Sequence, residues 1–209
     1  MFEETRRSLG LYVARFRLRK APRDIIAFSS VLRAAKRALL IMPLGDGQFL
    51  PTVAVIDVLR RKFGERNLTV VIDGHGAEAQ RALPQSMFIH LHEGDLNGLF
   101  LPHTNVLWQI AQRTYDVAID LNLDLVLPSG YICRASTASV RVGFMRKQAD
   151  VFYNFQIRPD PTLSKKLIYD RLAKCFKTVS SNIPEQTQSS PGHIHGQKYP
   201  GCVDTFREP

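Results

Sequence analysis

The residue types best suited to chemistry stand just after short apolar runs. Gly45-Asp46-Gly47-Gln48 follows Ala38-Leu39-Leu40-Ile41-Met42 and precedes a helical pattern. Glycines permit a tight turn and let a ligand approach the backbone, while the first N–H groups of the next helix favour an anion. Asp46 at such a turn has two readings. As a general base it takes a proton from a substrate hydroxyl; as a helix N-cap it only accepts a backbone N–H. Spacing does not choose between them. Gly-x-x-x-x-Gly-Lys-Ser/Thr, the loop that cradles nucleotide phosphates, is absent from the sequence.

Three further groups are candidates. Gly74-His75-Gly76-Ala77-Glu78-Ala79 matches Gly-x-Gly-x-x-Ala after an apolar run, and Glu93 lies near the spacing of a ribose-binding acid, which carries a dinucleotide-binding reading. Against it, Pro84 stops the following helix after about two turns, and the fingerprint normally opens the first βα unit of its domain. His90-x-His92, near Glu93, Asp95 and His103, puts two imidazoles on one face of a strand but fits no metal-ligand spacing. Ordinary surface histidines are the simpler reading, and no metal is expected. Asn122, after an apolar run, can hydrogen-bond sugar hydroxyls, and Arg141 can clamp a phosphate or carboxylate. Both can equally serve to stabilise loops.

The runs that carry these groups read as strands, at residues 38–42, 68–72, 87–91, 116–121 and 140–144, with 151–157 extended. Continuous apolar strands of this kind belong to parallel sheets covered on both faces. Between them, Val53, Ile56, Leu59 and Phe63 recur at helical spacing up to Gly64. Residues 77–83, 106–113 and 131–139 also read as helices, and Leu163, Leu167, Leu172, Cys175, Phe176 and Val179 mark a last amphipathic one. The alternation predicts an α/β fold: a single Rossmann-like, doubly wound, mainly parallel sheet with helices on both faces. Ligands of such a sheet bind at the carboxyl ends of its strands. The domain is expected at 37–179, behind a basic helical extension at 1–36; residues 180–209, rich in Ser, Pro, Gln and Gly, are expected to form a disordered tail.

A chain of 209 residues has room for one domain, and 44% hydrophobic with 22% charged residues can build a core. The net charge of +9 is uneven: residues 1–37 hold ten Lys or Arg against three acids, 10 − 3 = +7. The remaining +2 gives the domain no footprint for nucleic acid, and no such partner is expected. In the basic extension Leu9, Tyr12, Val13 and Phe16 form one helical stripe, with Arg6, Arg15, Arg17 and Arg19 mostly elsewhere. Packing of that stripe on the domain is the favoured reading, and an anionic membrane surface the alternative. No apolar stretch approaches the roughly 18–20 residues that span a bilayer, and no secretory leader pattern is present, so the expected location is the cytoplasm, with peripheral contact at the inner membrane face as the alternative. Cys133, Cys175 and Cys202 match neither a disulfide framework nor a metal clip and read as reduced thiols.

Taken in order, Arg37-Ala-Leu-Leu-Ile-Met-Pro-Leu-Gly-Asp46, Pro51 before a helix ending Leu-Arg-Arg-Lys-Phe, Tyr115-Asp-Val-Ala-Ile-Asp120 and Arg141-Val-Gly-Phe144 resemble the amino-terminal half of the heptosyltransferases, glycosyltransferase family nine. Order and separation carry the likeness, since no one motif is diagnostic. The resemblance implies one half of a pair of Rossmann-like domains, the half that binds the acceptor. It also implies that Asp46 is the base that deprotonates the acceptor hydroxyl for direct inverting attack, with no cofactor and no metal required. The donor would be a nucleotide-activated sugar such as ADP-heptose, and the acceptor a glycan or glycolipid of the lipopolysaccharide core. Gly45, Gly47, Gln48, Asn122 and Arg141 are the substrate-binding candidates around that base. Gly47 and Gln48 stand where the family usually has apolar residues, and a polar tail follows where it has its donor-binding half. The expectation is therefore an acceptor-binding domain lacking its donor half, active with a separate donor-binding chain or as a homo-oligomer. A non-catalytic binding module of the same fold and a dinucleotide-binding Rossmann protein are the alternatives.

Overall fold

The structure is a computed structural model and describes residues 2–18, 28–45, 49–74 and 76–181. Runs of Leu, Ile and Val form its strands. β1 (Ala38–Ile41), β2 (Leu68–Ile72) and β4 (Val117–Asp120) are buried at every position, because both faces of the sheet are covered. With β3 (Met87–His90), β5 (Val140–Phe144) and β6 (Phe155–Ile157) they make a six-stranded sheet of order β3-β2-β1-β4-β5-β6. Every pairing is parallel, with Leu40 of β1 opposite Val70 on one side and Ile119 on the other.

The helices are α1 (Phe2–Arg17) and α2 (Phe28–Ala34) before β1, then α3 (Phe49–Phe63), α4 (Ala77–Ala82), α5 (Thr104–Ala111), α6 (Leu127–Ala135) and α7 (Lys165–Ser181). Successive side chains of a strand point to opposite faces, so one run fills two cores. Ala38, Leu40, Val70 and Ile119 pack with Leu32 of α2, Leu59 of α3 and Phe176 of α7. Leu39, Ile41, Val71 and Ala118 pack with Ala14 of α1, Val106 and Ile110 of α5 and Ile132 of α6. The result is the doubly wound α/β fold anticipated from the sequence, with a sheet that is wholly parallel.

The structure departs from the sequence reading in several places. α6 begins at Leu127, well before residue 131, with a proline in its first turn, where the fixed φ suits a helix start and the missing N–H costs nothing. The stretch expected to be extended at 151–157 is a short 3-10 turn, Ala149–Val151, followed by the three residues of β6. α7 continues to Ser181, past the expected end of the domain, and the rest of the predicted tail lies outside the described residues. Cys133 is a free, buried thiol, and Cys202 lies outside the described residues.

The largest difference is in α1. It packs on the domain mainly through its small residues: Gly10 and Ala14 are buried and Val13 of the expected stripe packs half-buried beside them, whereas Leu9, Tyr12 and Phe16 are 51%, 70% and 71% exposed. A Cβ on residue 10 would fall 2.2 Å from the Leu99 carbonyl oxygen and 2.9 Å from Leu127 Cδ2, so a glycine is what permits this approach. Arg6 Nε donates to the Gly98 carbonyl at 2.6 Å, and the guanidinium groups of Arg6 and Arg7 lie 5.0 and 5.3 Å from the Phe100 ring centre. Backbone proximity, two arginines and the half-buried Leu11, Val13 and Leu18 hold the helix down, while the rest of the expected stripe faces outward.

Candidate functional site

In a sheet of this order the strand sequence reverses between β1 and β4, and in doubly wound sheets the ligand crevice lies outside the carboxyl ends of the strands at that point. β1 runs out into Met42-Pro43-Leu44-Gly45, and β4 into Leu121-Asn122. Asn122, only 6% exposed, ties the two together. Its Oδ1 accepts the Leu44 N–H at 2.9 Å, and its Nδ2 donates to the Met42 carbonyl at 3.3 Å. From the other side the Asp73 carboxylate, just past β2, accepts the Gly45 N–H at 2.6 Å. Gly45 has φ +97, with nothing within 4 Å of where a Cβ would sit. The backbone angle, rather than crowding, calls for glycine there. The turn into position 46 is thus clamped by residues that follow two other strands. Asp46, Gly47 and Gln48 themselves lie outside the described residues, and α3 starts directly after them.

Beneath Asn122 is a buried carboxyl. Asp120, 1% exposed, accepts both the Asn122 N–H at 2.9 Å and Asn122 Nδ2 at 2.7 Å through Oδ1, while Oδ2 accepts the Tyr153 hydroxyl at 2.7 Å. Burial raises its pKa above the ordinary carboxylate value, and the hydrogen bonds from Asn122 and Tyr153 offset that only in part. Burial, with the Asp120 charge second, pushes the Tyr153 hydroxyl well up, which keeps it a donor. Tyr153 reaches Asp120 by lying against Gly143, where a Cβ would stand 2.6 Å from two ring carbons. That approach is the physical reason for glycine in Arg141-Val-Gly-Phe144. One continuous set of hydrogen bonds, Tyr153 to Asp120 to Asn122 to Leu44, runs from the core out to the turn.

The other sequence candidates fall elsewhere. Arg141 pairs in register with Ala118, four residues and so about 13 Å along the strand from Asn122. Its Nη1 donates to the Ala138 carbonyl at 2.7 Å and its Nε to the Phe152 carbonyl at 3.1 Å, toward the amino end of the sheet. The structure does not bring it to the crevice. β5 continues to Phe144 before it reaches its carboxyl end, and the cation just beyond that end is Arg146, whose Nε lies 3.2 Å from Asp124 Oδ1. Asp116 belongs to the opposite edge too: it accepts the N–H groups of Lys36 and Arg37 at 2.7 and 2.9 Å and fixes the start of β1.

Gly74 and Gly76 follow β2 rather than β1, and α4 behind them is six residues long. A Cβ on residue 76 would fall 2.5 Å from Ile72 Cβ, so that glycine is accounted for by strand packing; His75 lies outside the described residues. His90 meets Gln80 Nε2 at 3.0 Å and stacks on His92 with ring centres 6.1 Å apart. Among the described residues no group of three His, Cys, Asp or Glu is placed to hold a metal ion.

No family model matches the chain, and no curated protein matches it in sequence. Its backbone superposes on a glycosyl transferase of family 9 from Veillonella parvula with a TM-score of 0.53 at 19% identity, over 78% of this chain and 45% of that one. The fold is heptosyltransferase-like. E. coli heptosyltransferase WaaC, solved with ADP, gives a TM-score of 0.51 at 14% identity, over 73% of this chain and 49% of the other. The chain spans about half the length of the solved structures it matches. At such identities the likeness is one of fold, and it agrees with the resemblance read from motif order. Sequence reasoning missed Asp73, Tyr153 and Arg146. Asp73 carried the same signal as Asp46, an acid directly after an apolar strand. Tyr153 had none, since its place depends on contact with Gly143.

Proposed function

We propose that the chain is the acceptor-binding half of a glycosyltransferase of the heptosyltransferase type, serving lipopolysaccharide or another cell-surface glycan. The observation that carries this reading is the turn at Leu44-Gly45, clamped by Asn122 and Asp73 at the switch point of a heptosyltransferase-like sheet. A rigid turn whose next residue is an aspartate is suited to hold a base at a fixed place. In the proposed step Asp46 takes the proton of an acceptor hydroxyl. The hydroxyl oxygen bonds to the anomeric carbon of the donor sugar from the face opposite the nucleotide, and the bond to the nucleoside diphosphate breaks. Arg146 would orient the acceptor through charge, and Asn122, its amide committed to Leu44, Met42 and Asp120, would act by fixing the turn.

Donor binding would come from a second Rossmann-like half. The test uses the purified protein, calorimetry with lipopolysaccharide-core oligosaccharides, and turnover with ADP-heptose in the presence of candidate partner chains. Acceptor binding in the micromolar to millimolar range is expected, with Asp46→Ala binding as well as wild type but turning over at least about 100-fold more slowly. Absence of acceptor binding overturns the reading. Acceptor binding with no turnover under any pairing favours a non-catalytic binding module.

A further inference from the structure

The face of α1 turned away from the domain is apolar apart from Thr5. Phe2, Leu9, Tyr12 and Phe16 are 89%, 51%, 70% and 71% exposed, and at helical spacing they fall within an arc of about 80°. Single exposed apolar residues mean little, but a contiguous row of them marks a contact surface. Arg15 and Arg17, both exposed, lie on either side of the row. Of the acids on this helix, Glu3 is paired with Arg7 at 3.1 Å on the flank toward the domain, and Glu4 lies on the far flank. Residues 1–37 carry ten basic and three acidic side chains, 10 − 3 = +7.

We propose that this face of α1 is a docking surface for an anionic lipid membrane, with the helix lying in the interface plane. Charge complementarity selects the occupant. An aromatic row with arginines along its rim suits the boundary between acyl chains and anionic headgroups, where each nearby Lys or Arg adds attraction. The same positive charge opposes pairing of two copies through this face. No helix among the described residues is long and apolar enough to cross a membrane, so the contact is peripheral. Because Gly10 rests on Leu99 and Leu127, segments that follow β3 and β4, the docked helix stands at the carboxyl end of the sheet, where the crevice opens. This inference rests on α1 alone and is independent of the reading of the Asp46 turn.

The test is co-sedimentation of the full chain with phosphatidylcholine vesicles made with and without phosphatidylglycerol. Binding to the anionic vesicles should exceed binding to the neutral ones by about tenfold or more and weaken with salt. The triple variant Phe2→Ser, Tyr12→Ser, Phe16→Ser changes only exposed side chains, so its melting curve should match wild type while its vesicle binding falls by about tenfold or more. Arg15→Glu with Arg17→Glu should lose the anionic preference. In a Trp108→Phe background, Tyr12→Trp should shift its emission to the blue on adding anionic vesicles. The proposal is overturned if the wild type does not bind anionic vesicles, if the triple variant binds them equally, or if sedimentation without lipid shows a dimer that the triple variant abolishes.

Discussion

Asp120 is the residue on which the crevice is built, and its burial sets the sign of its pH dependence. A carboxyl whose folded-state pKa is raised holds its proton more tightly in the native state than in the unfolded chain. The stability it contributes is fully present below the ordinary value of 3.8 and is lost as pH rises through the folded value. Asp120→Asn lacks that slope. The excess in melting temperature of wild type over Asp120→Asn should therefore shrink as pH is raised from about 4 toward 7, and a gap that does not vary with pH would show a carboxyl that titrates ordinarily. Tyr153→Phe leaves Asp120 Oδ2 short of a donor in a buried place, at a cost of about 1–3 kcal/mol in urea denaturation. Gly143→Ala should disturb the same contact by pushing the ring away, so the two costs should add to less than their sum. Asp120 and Gly143 were both visible in the sequence as motif residues. Their connection through Tyr153 was not, because it arises only when the β5–β6 connection folds back over the sheet.

At the scale of elements, a strand delivers a turn and neighbouring strand ends hold it. Asn122→Ala removes the acceptor of the Leu44 N–H and the donor to the Met42 carbonyl. Stability should fall by about 1–3 kcal/mol, and hydrogen exchange at the Leu44 amide should accelerate while amides in the middle of β1 keep their protection. If exchange at Leu44 is unchanged, the clamp is not what orders the turn. The strands themselves were legible, since burial on both faces makes each an unbroken apolar run flanked by polar residues. Strand ends were less so. Arg141 opens its motif and so looks in sequence like an edge residue, yet β5 runs on to Phe144 and the cation at the edge is Arg146. α6 starts four residues ahead of the expected 131, since a proline in the first turn begins a helix as readily as it ends one.

On the scale of the whole molecule, the alternation of strands and helices predicted the doubly wound sheet, since parallel strands need crossovers and the crossovers cover both faces. It could not predict how α1 joins that body. Amphipathicity argues that the apolar stripe goes inward; the structure instead seats the helix on a glycine, because the surface it meets offers a backbone carbonyl at close range. That arrangement makes a definite prediction. In Gly10→Val the new side chain meets the Leu99 carbonyl, and this segment cannot withdraw freely, because Asn97 Oδ1 accepts the N–H groups of Leu99 and Leu101 at 2.9 and 3.1 Å. The helix must therefore lift. A 16-residue helix without tertiary contacts is marginal in water, so hydrogen exchange across residues 2–17 should rise toward the unfolded rate while β1, β2 and β4 stay protected. Equal loss of protection in α1 and the central strands would instead make the helix part of one cooperative unit with the sheet, and unchanged exchange would mean that the Leu99 segment yields after all.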